Sequence, residues 1–243
     1  LAEAAAFVRS LLPAPLEGDP RARWAFRPSA QLGGDGFGYH AIDDDHFAIY
    51  LLDVCGHGVG AALLAVSVLN VLRTETLRSV DFRQPGEVLA GLNEAFPMEA
   101  NNDMFFSMWY GVFERSSRRL RFGSGGHPPA QLLYGDERQS ALARPLRTNG
   151  PLVGALPGAM ARFDEDELEL PAFAELFIYS DGAFEIQDQA KGELWTLEGW
   201  LERLEAAGRG DECLEAVIAS LQALQGREDF DDDVALLSLT FGV

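Results

Sequence analysis

The chain has 243 residues, enough for one large domain or two small ones, and 47% of them are apolar, enough to bury a core. A formal net charge of −19 repels a phosphate backbone, which argues against nucleic acid as a partner, while clustered carboxylates attract divalent cations. Cys55 and Cys213 cannot make a disulfide framework, so a cytoplasmic setting is expected, and the most apolar stretch, 47–72, is broken by Asp53, His57 and several glycines, so no membrane span is expected.

Residues 1–12 read as a helix stopped by Pro13, and Pro15, Gly18 and Pro20 mark a loop after it. Because the chain opens on Leu1, residues 1–20 are expected to be the end of a linker from an upstream region, with the main domain over 21–243. A strand is predicted over 21–30, followed by the glycine-rich run QLGGDGFGYHAI. The triplet Asp43-Asp44-Asp45 predicts a hairpin turn, whose second arm, HFAIYLLDV, is rich in β-branched and aromatic residues and reads as a buried strand.

A helix is predicted over 59–77, with Ala62, Leu63, Val66, Leu69, Val71 and Leu72 on a broad buried face. A second, over 85–96, opens on Pro85 at a favoured first-turn position. MFFSMWYGVFE, RRLRFGSGG and PAQLLY then read as three strands joined by short turns, the spacing of an antiparallel meander. Strands RFDEDELEL and ELFIYSD, helices near 194–207 and 211–225, and the strand VALLSLTF complete the chain. Hairpins with inserted helix pairs predict an α+β layered sandwich in place of a doubly wound sheet.

Aspartates recur where these strands end. Asp53 closes an apolar strand before a glycine-rich turn, Asp181 does the same before Gly182, Asp35 lies in a glycine-flanked turn, and Asp232 and Asp233 precede the last strand. A carboxylate at the end of a buried strand is costly unless compensated. One such residue can simply cap its own turn. Four in separate segments point to a shared site, and oxygen donors without nearby His or Cys pairs suit Mg²⁺ or Mn²⁺ over Zn²⁺.

The string GGDGFGYHAIDDDHFAIYLLDVCGHGVGAALLA resembles the opening of the bacterial SpoIIE/RsbU-like branch of the metal-dependent PPM (type 2C) serine/threonine protein phosphatases. MFFSMWYGVFE, RFGSGGHPPAQLL, NGPLVGAL, LFIYSDGAFE and DDVALLSL follow in that family's order. The resemblance implies a four-layer αββα sandwich of two antiparallel sheets flanked by helices. It implies two Mn²⁺ or Mg²⁺ ions, with Asp53 bridging both, the Val54 carbonyl on one, and Asp35, Asp181 and Asp232 completing the set. Catalysis would then use a metal-activated water and no protein nucleophile. His57 and Asp233 would stand beside the ligands, and Arg27, upstream of Asp35, would meet the substrate phosphate.

By the same resemblance the substrate would be a phosphorylated regulatory protein, such as an anti-sigma-factor antagonist. The upstream region would be a sensory or receiver domain, and the leading helix offers a surface for a homodimer. Three positions depart from the family pattern: Gly38 stands where an acid is usual, Cys55 where serine is common and Ala235 where threonine is common.

Other readings compete. A phosphatase-like domain that only binds a partner would be expected to lose the acids, and all four are present. Gly56, Gly58 and Ala61 satisfy a dinucleotide fingerprint, but Asp53 would face the pyrophosphate and the first helix leads into a second where a parallel strand is needed. DFDDDV lacks the glycine and glutamate of a calcium loop, and Ser124 lacks the flanking pattern of a hydrolase elbow.

Overall fold

The computed structural model describes residues 9–29, 32–135, 142–190, 192–207 and 213–242. In chain order the main elements are β1 (Arg21–Arg27), β2 (Asp35–Ala41), β3 (His46–Val54), α1 (Val59–Thr74), α2 (Pro85–Ala95), β4 (Phe106–Glu114), β5 (Arg119–Gly125), β6 (Ala130–Tyr134) and β7 (Leu142–Leu146). They continue with β8 (Glu165–Glu169), β9 (Ala174–Tyr179), β10 (Gln187–Asp188), β11 (Glu193–Leu194), α3 (Leu197–Ala207), α4 (Cys213–Gln225) and β12 (Val234–Phe241). The fold is α+β, with two five-stranded sheets, each carrying a helix pair, and a small β10–β11 hairpin.

The first unit comprises Leu32–Pro129 and Leu146–Leu170 with the described part of Leu1–Pro13. Its sheet has the order β2-β3-β4-β5-β8, every neighbour antiparallel. The β2–β3 turn is built by Asp43, whose Oδ1 accepts the backbone N–H groups of Asp45 and His46 at 2.9 and 2.8 Å. One face of this sheet packs under α1 and α2: Tyr50, Leu52 and Tyr110 meet Leu64, Val68, Leu72, Val88 and Leu92. Each such apolar side chain contributes about 1.5–3 kcal/mol on full burial.

Helix α1 ends where Glu75 turns left-handed (φ 49°), its N–H and that of Thr76 reaching back to the carbonyls of Leu72 and Val71. That cap stops the helix at Thr74, three residues short of the predicted 77. Helix α2 opens on Pro85, and the Gly86 N–H donates to the Glu165 carboxylate at 3.0 Å, so an acid from edge strand β8 satisfies the helix N-terminus.

The second unit comprises Ala14–Gln31, Ala130–Pro145 and Pro171–Val243. Its sheet has the order β1-β12-β9-β6-β7, with β1/β12, β12/β9 and β9/β6 antiparallel. Trp200 and Leu204 of α3 and Val217, Ile218 and Leu221 of α4 pack on Phe177, Tyr179, Val234 and Leu236. Tyr179 meets Trp200 edge-on with ring centroids 5.2 Å apart.

Several expectations change. Strands β4 and β5 pair as predicted, but β6 pairs with β9 in the other sheet, so the three do not form a meander. Short joins require nearness in space, and a strand can satisfy that by crossing to a different sheet. Leu63, predicted buried, is 61% exposed, because the buried stripe of α1 runs through Ala61, Leu64, Ala65, Val68 and Leu72. Strands β7, β10 and β11 have no counterpart among the predicted elements: four of the five β7 residues are not buried, which leaves no alternation to read, and β10 and β11 are two residues each. The predicted helix over 1–12 falls mostly outside the described residues; Arg9 and Ser10 are helical. Strand β4 runs antiparallel to β3, which removes the parallel strand that a dinucleotide fold needs. Among the described residues, no helix is long and apolar enough to cross a membrane.

Candidate metal centre

Within the first unit, Asp35 and Asp53 are direct partners across the β2–β3 ladder. Antiparallel partners have Cα atoms about 4.5–5.5 Å apart and side chains on the same face. Asp35 is 4% exposed and Asp53 is half-buried. Like charges directly opposite one another are destabilising, so the pair is a place where a cation is favoured. The next partner in the row is Ser107, opposite Asp53 on β4, so two carboxylates and a hydroxyl lie in line across three strands. Sequence reading passed over Ser107 because register across strands leaves no local mark.

Close approach of the backbone holds this row. A Cβ on Gly34 would stand 2.7 Å from both the Val54 Cβ and the Val54 carbonyl oxygen, and the Val54 N–H donates to the Gly34 carbonyl at 3.3 Å. After Val54 the chain turns through Gly56 (φ 81°) and Gly58 (φ 100°), conformations that favour glycine. His57 between them is exposed. Cys55 donates its N–H to the Phe105 carbonyl at 2.9 Å, and its sulfur accepts the Phe105 N–H at 3.3 Å, the acceptor role a serine hydroxyl would take.

Within the second unit, Asp181 and Asp232 form another acidic pair. Asp181 begins a short 3-10 turn after β9. Burial first, and then the charges of Asp232 and Glu185, push its carboxyl up to about 6. Like-charge crowding of this kind is what a bound divalent cation relieves. Glu185 was also missed from sequence; its place four residues after Asp181 was the available signal. Gly182 fixes the geometry, since a Cβ there would stand 2.1 Å from the Asp233 carbonyl oxygen.

Asp233 is 3% exposed and accepts the Ser29 N–H at 2.8 Å, while its own N–H donates to Asp232 at 2.8 Å. It holds the β12 entrance and steadies Asp232. Ser180 donates to the Asp233 carbonyl at 3.2 Å and accepts the Ala235 N–H at 3.0 Å, so the backbone at Ala235 is anchored without a threonine. Arg27 donates to Glu215 of α4 at 2.6 Å. Asp231 pairs with Arg227 and is exposed. The Asp35–Asp53 pair in the first unit and the Asp181–Asp232 pair in the second each offer hard carboxylate oxygens, the donor type that fits Mg²⁺ or Mn²⁺.

Residues 43–242 match the family described as Stage II sporulation protein E (SpoIIE), and the chain belongs to that family. It is a PP2C-type serine/threonine phosphatase domain of the SpoIIE and RsbU kind. The phosphoserine phosphatase RsbP of Bacillus subtilis is 26% identical over 164 residues, covering 66% of this chain and 38% of the relative. RsbU of the same organism is 25% identical over 177 residues, 72% of this chain and 48% of the relative. The chain thus spans less than half the length of these curated relatives.

Among solved structures, the PP2C domain of SiaA from Pseudomonas aeruginosa superposes with a TM-score of 0.82 at 20% identity, covering 98% of this chain and 94% of that one. RsbX, solved in complex with magnesium, gives 0.65 at 13% identity over 93% of this chain and 98% of that one. These likenesses establish the PP2C fold.

Proposed function

We propose that this domain removes phosphate from phosphoserine or phosphothreonine on a regulatory protein, using two Mg²⁺ or Mn²⁺ ions held by Asp35, Asp53, the Val54 carbonyl, Asp181 and Asp232. The observation that carries the reading is the facing of Asp35 and Asp53 across one ladder, a costly arrangement that a cation explains. The crowding of Asp181 by Asp232 and Glu185 supports it independently. When bound, the cations supply charge neutralisation at the phosphoryl group and an activated water at neutral pH.

The chain's own residues set the geometry. Asp53 and Val54, fixed by Gly34, present a side-chain and a main-chain oxygen side by side. Gly182 keeps Asp181 near Asp232, and Asp233 holds Asp232 in place. Arg27, on exchanging Glu215 for substrate, would orient the phosphate. His57 lies beside the ligand strand in the Gly56–Gly58 turn.

The relatives named phosphoserine phosphatases support a phosphorylated bacterial signalling protein as substrate, such as an anti-sigma-factor antagonist. In this reading the domain acts in the cytoplasm under the control of a sensory or receiver domain, and two copies pair through the N-terminal segment. The test is hydrolysis of an aryl phosphate with Mn²⁺, with and without chelator, in wild type, Asp53→Asn and Asp181→Asn. Each substitution should lower kcat at least ~100-fold. Chelator-resistant turnover, or full activity in both variants, overturns the mechanism; absent turnover with tight binding of a small regulatory protein makes the domain a binding module.

A further inference from the structure

At the end of β3 remote from Asp53, a second set of ligand-type side chains converges. His46 opens the strand and stands opposite Glu114 of β4 in register. Asp45, His46 and Glu114, all half-buried, each offer a donor atom within 4.8 Å of the others. Seven residues of extended chain, about 23 Å, separate this group from Asp53.

The imidazole is oriented as a ligand. Both oxygens of Asp43 lie 2.9 Å from His46 Nδ1. A carboxylate only accepts, so the tautomer that fits this contact carries its proton on Nδ1 and leaves the lone pair at Nε2. Nε2 faces Glu114 Oε1 at 3.9 Å, too far for a hydrogen bond. Two ligands of one tetrahedral zinc, at about 2.0–2.2 Å each, stand roughly 3.4 Å apart, so a small side-chain rotation closes the gap. A carboxylate on the far nitrogen of a metal-binding histidine is the usual means of fixing its tautomer.

The carboxylates are held as well. Asp45 accepts the Ser116 N–H at 2.8 Å and its hydroxyl at 2.6 Å, and Glu114 accepts the Ser117 hydroxyl at 2.5 Å. Arg115 ties the two hairpin turns together, donating its N–H to the Asp45 carbonyl at 2.9 Å and its guanidinium to that of Asp44 at 3.1 Å. A cavity of about 180 Å³ borders His46 and Glu114; its other charged lining is Asp81, Arg83, Arg119 and Arg121, with Arg83 paired to Asp81 and Arg119 and Arg121 paired to Glu167.

We propose that Asp45, His46 and Glu114 form a second cation site, chemically distinct from the aspartate centre, that takes a borderline divalent ion such as Zn²⁺. One imidazole nitrogen with two carboxylates suits Zn²⁺ and disfavours Mg²⁺. The proposal does not depend on the phosphatase reading.

The test titrates Zn²⁺ against a chromogenic chelator in the Asp53→Asn/Asp181→Asn background, with Mg²⁺ in excess. One Zn²⁺ equivalent should bind and raise the thermal midpoint. His46→Ala and the near-isosteric Glu114→Gln should each weaken it at least ~10-fold, and Asp43→Asn roughly tenfold by loosening the ring. Circular dichroism in chelator establishes that each variant is folded, and Glu114→Gln carries the test if His46→Ala is not. Absence of a Zn²⁺ equivalent in this background, or unchanged affinity in folded variants, overturns the proposal.

Discussion

The Tyr50 ring lies directly over Gly38, its partner across the β2–β3 ladder: a Cβ on the glycine would meet the ring at 2.5 Å. Strand alternation places Asp35 and Asp53 on one face of the sheet and Gly38 and Tyr50 on the other, where Tyr50 packs with α1 and α2. An acid at position 38 would point into that apolar layer, so Gly38 is a packing residue in this chain.

Gly38→Asp should therefore lower stability by about 3 kcal/mol or more, combining overpacking with a buried carboxylate. It should add no Mn²⁺ equivalent. Chemical denaturation and metal titration of the variant check this; a stable variant with an extra bound ion contradicts the packing role.

Gly182→Ala should be more damaging than its one added methyl suggests. The Cβ would collide with the Asp233 carbonyl, driving Asp181 from Asp232. We expect a loss on the order of 3 kcal/mol and Mn²⁺-dependent turnover reduced at least ~100-fold. Thermal melts and aryl phosphate assays measure the two effects.

The acidic pair sets a pH dependence in the metal-free protein. Asp181 titrates near 3.8 when unperturbed and near 6 in the fold. Between those values the folded state binds more protons than the unfolded state, so stability falls as pH rises and the deficit persists at neutral pH. In chelator, Asp181→Asn should exceed wild type at pH 7 by roughly 1–2 kcal/mol after allowance for solvent screening. The difference should vanish towards pH 4. Denaturant midpoints across that range test it, and a variant less stable than wild type at pH 7 contradicts it.

Arg27→Ala should raise KM for a phosphopeptide several-fold with little change in kcat, since the side chain would act in binding. Glu215→Ala should lower KM, because it releases the guanidinium from its 2.6 Å contact. Equal KM values in all three proteins would assign Arg27 to structure alone.

Periodicity and turn chemistry are local, and the sequence by itself located every described strand except β7, β10 and β11, the helix pairs and the aspartates at the strand ends. Glycine flanks and apolar runs mark Asp35, Asp53 and Asp181 because a strand end is written in adjacent residues. Partnership is not local. That Asp53 faces Asp35 and Ser107, that β6 joins β9, and that Gly38 and Gly182 admit a ring and a carbonyl are consequences of register between distant segments. Tertiary structure alone decided these, because contacts made across strands depend on which backbones come close, and a single chain carries no period that records it.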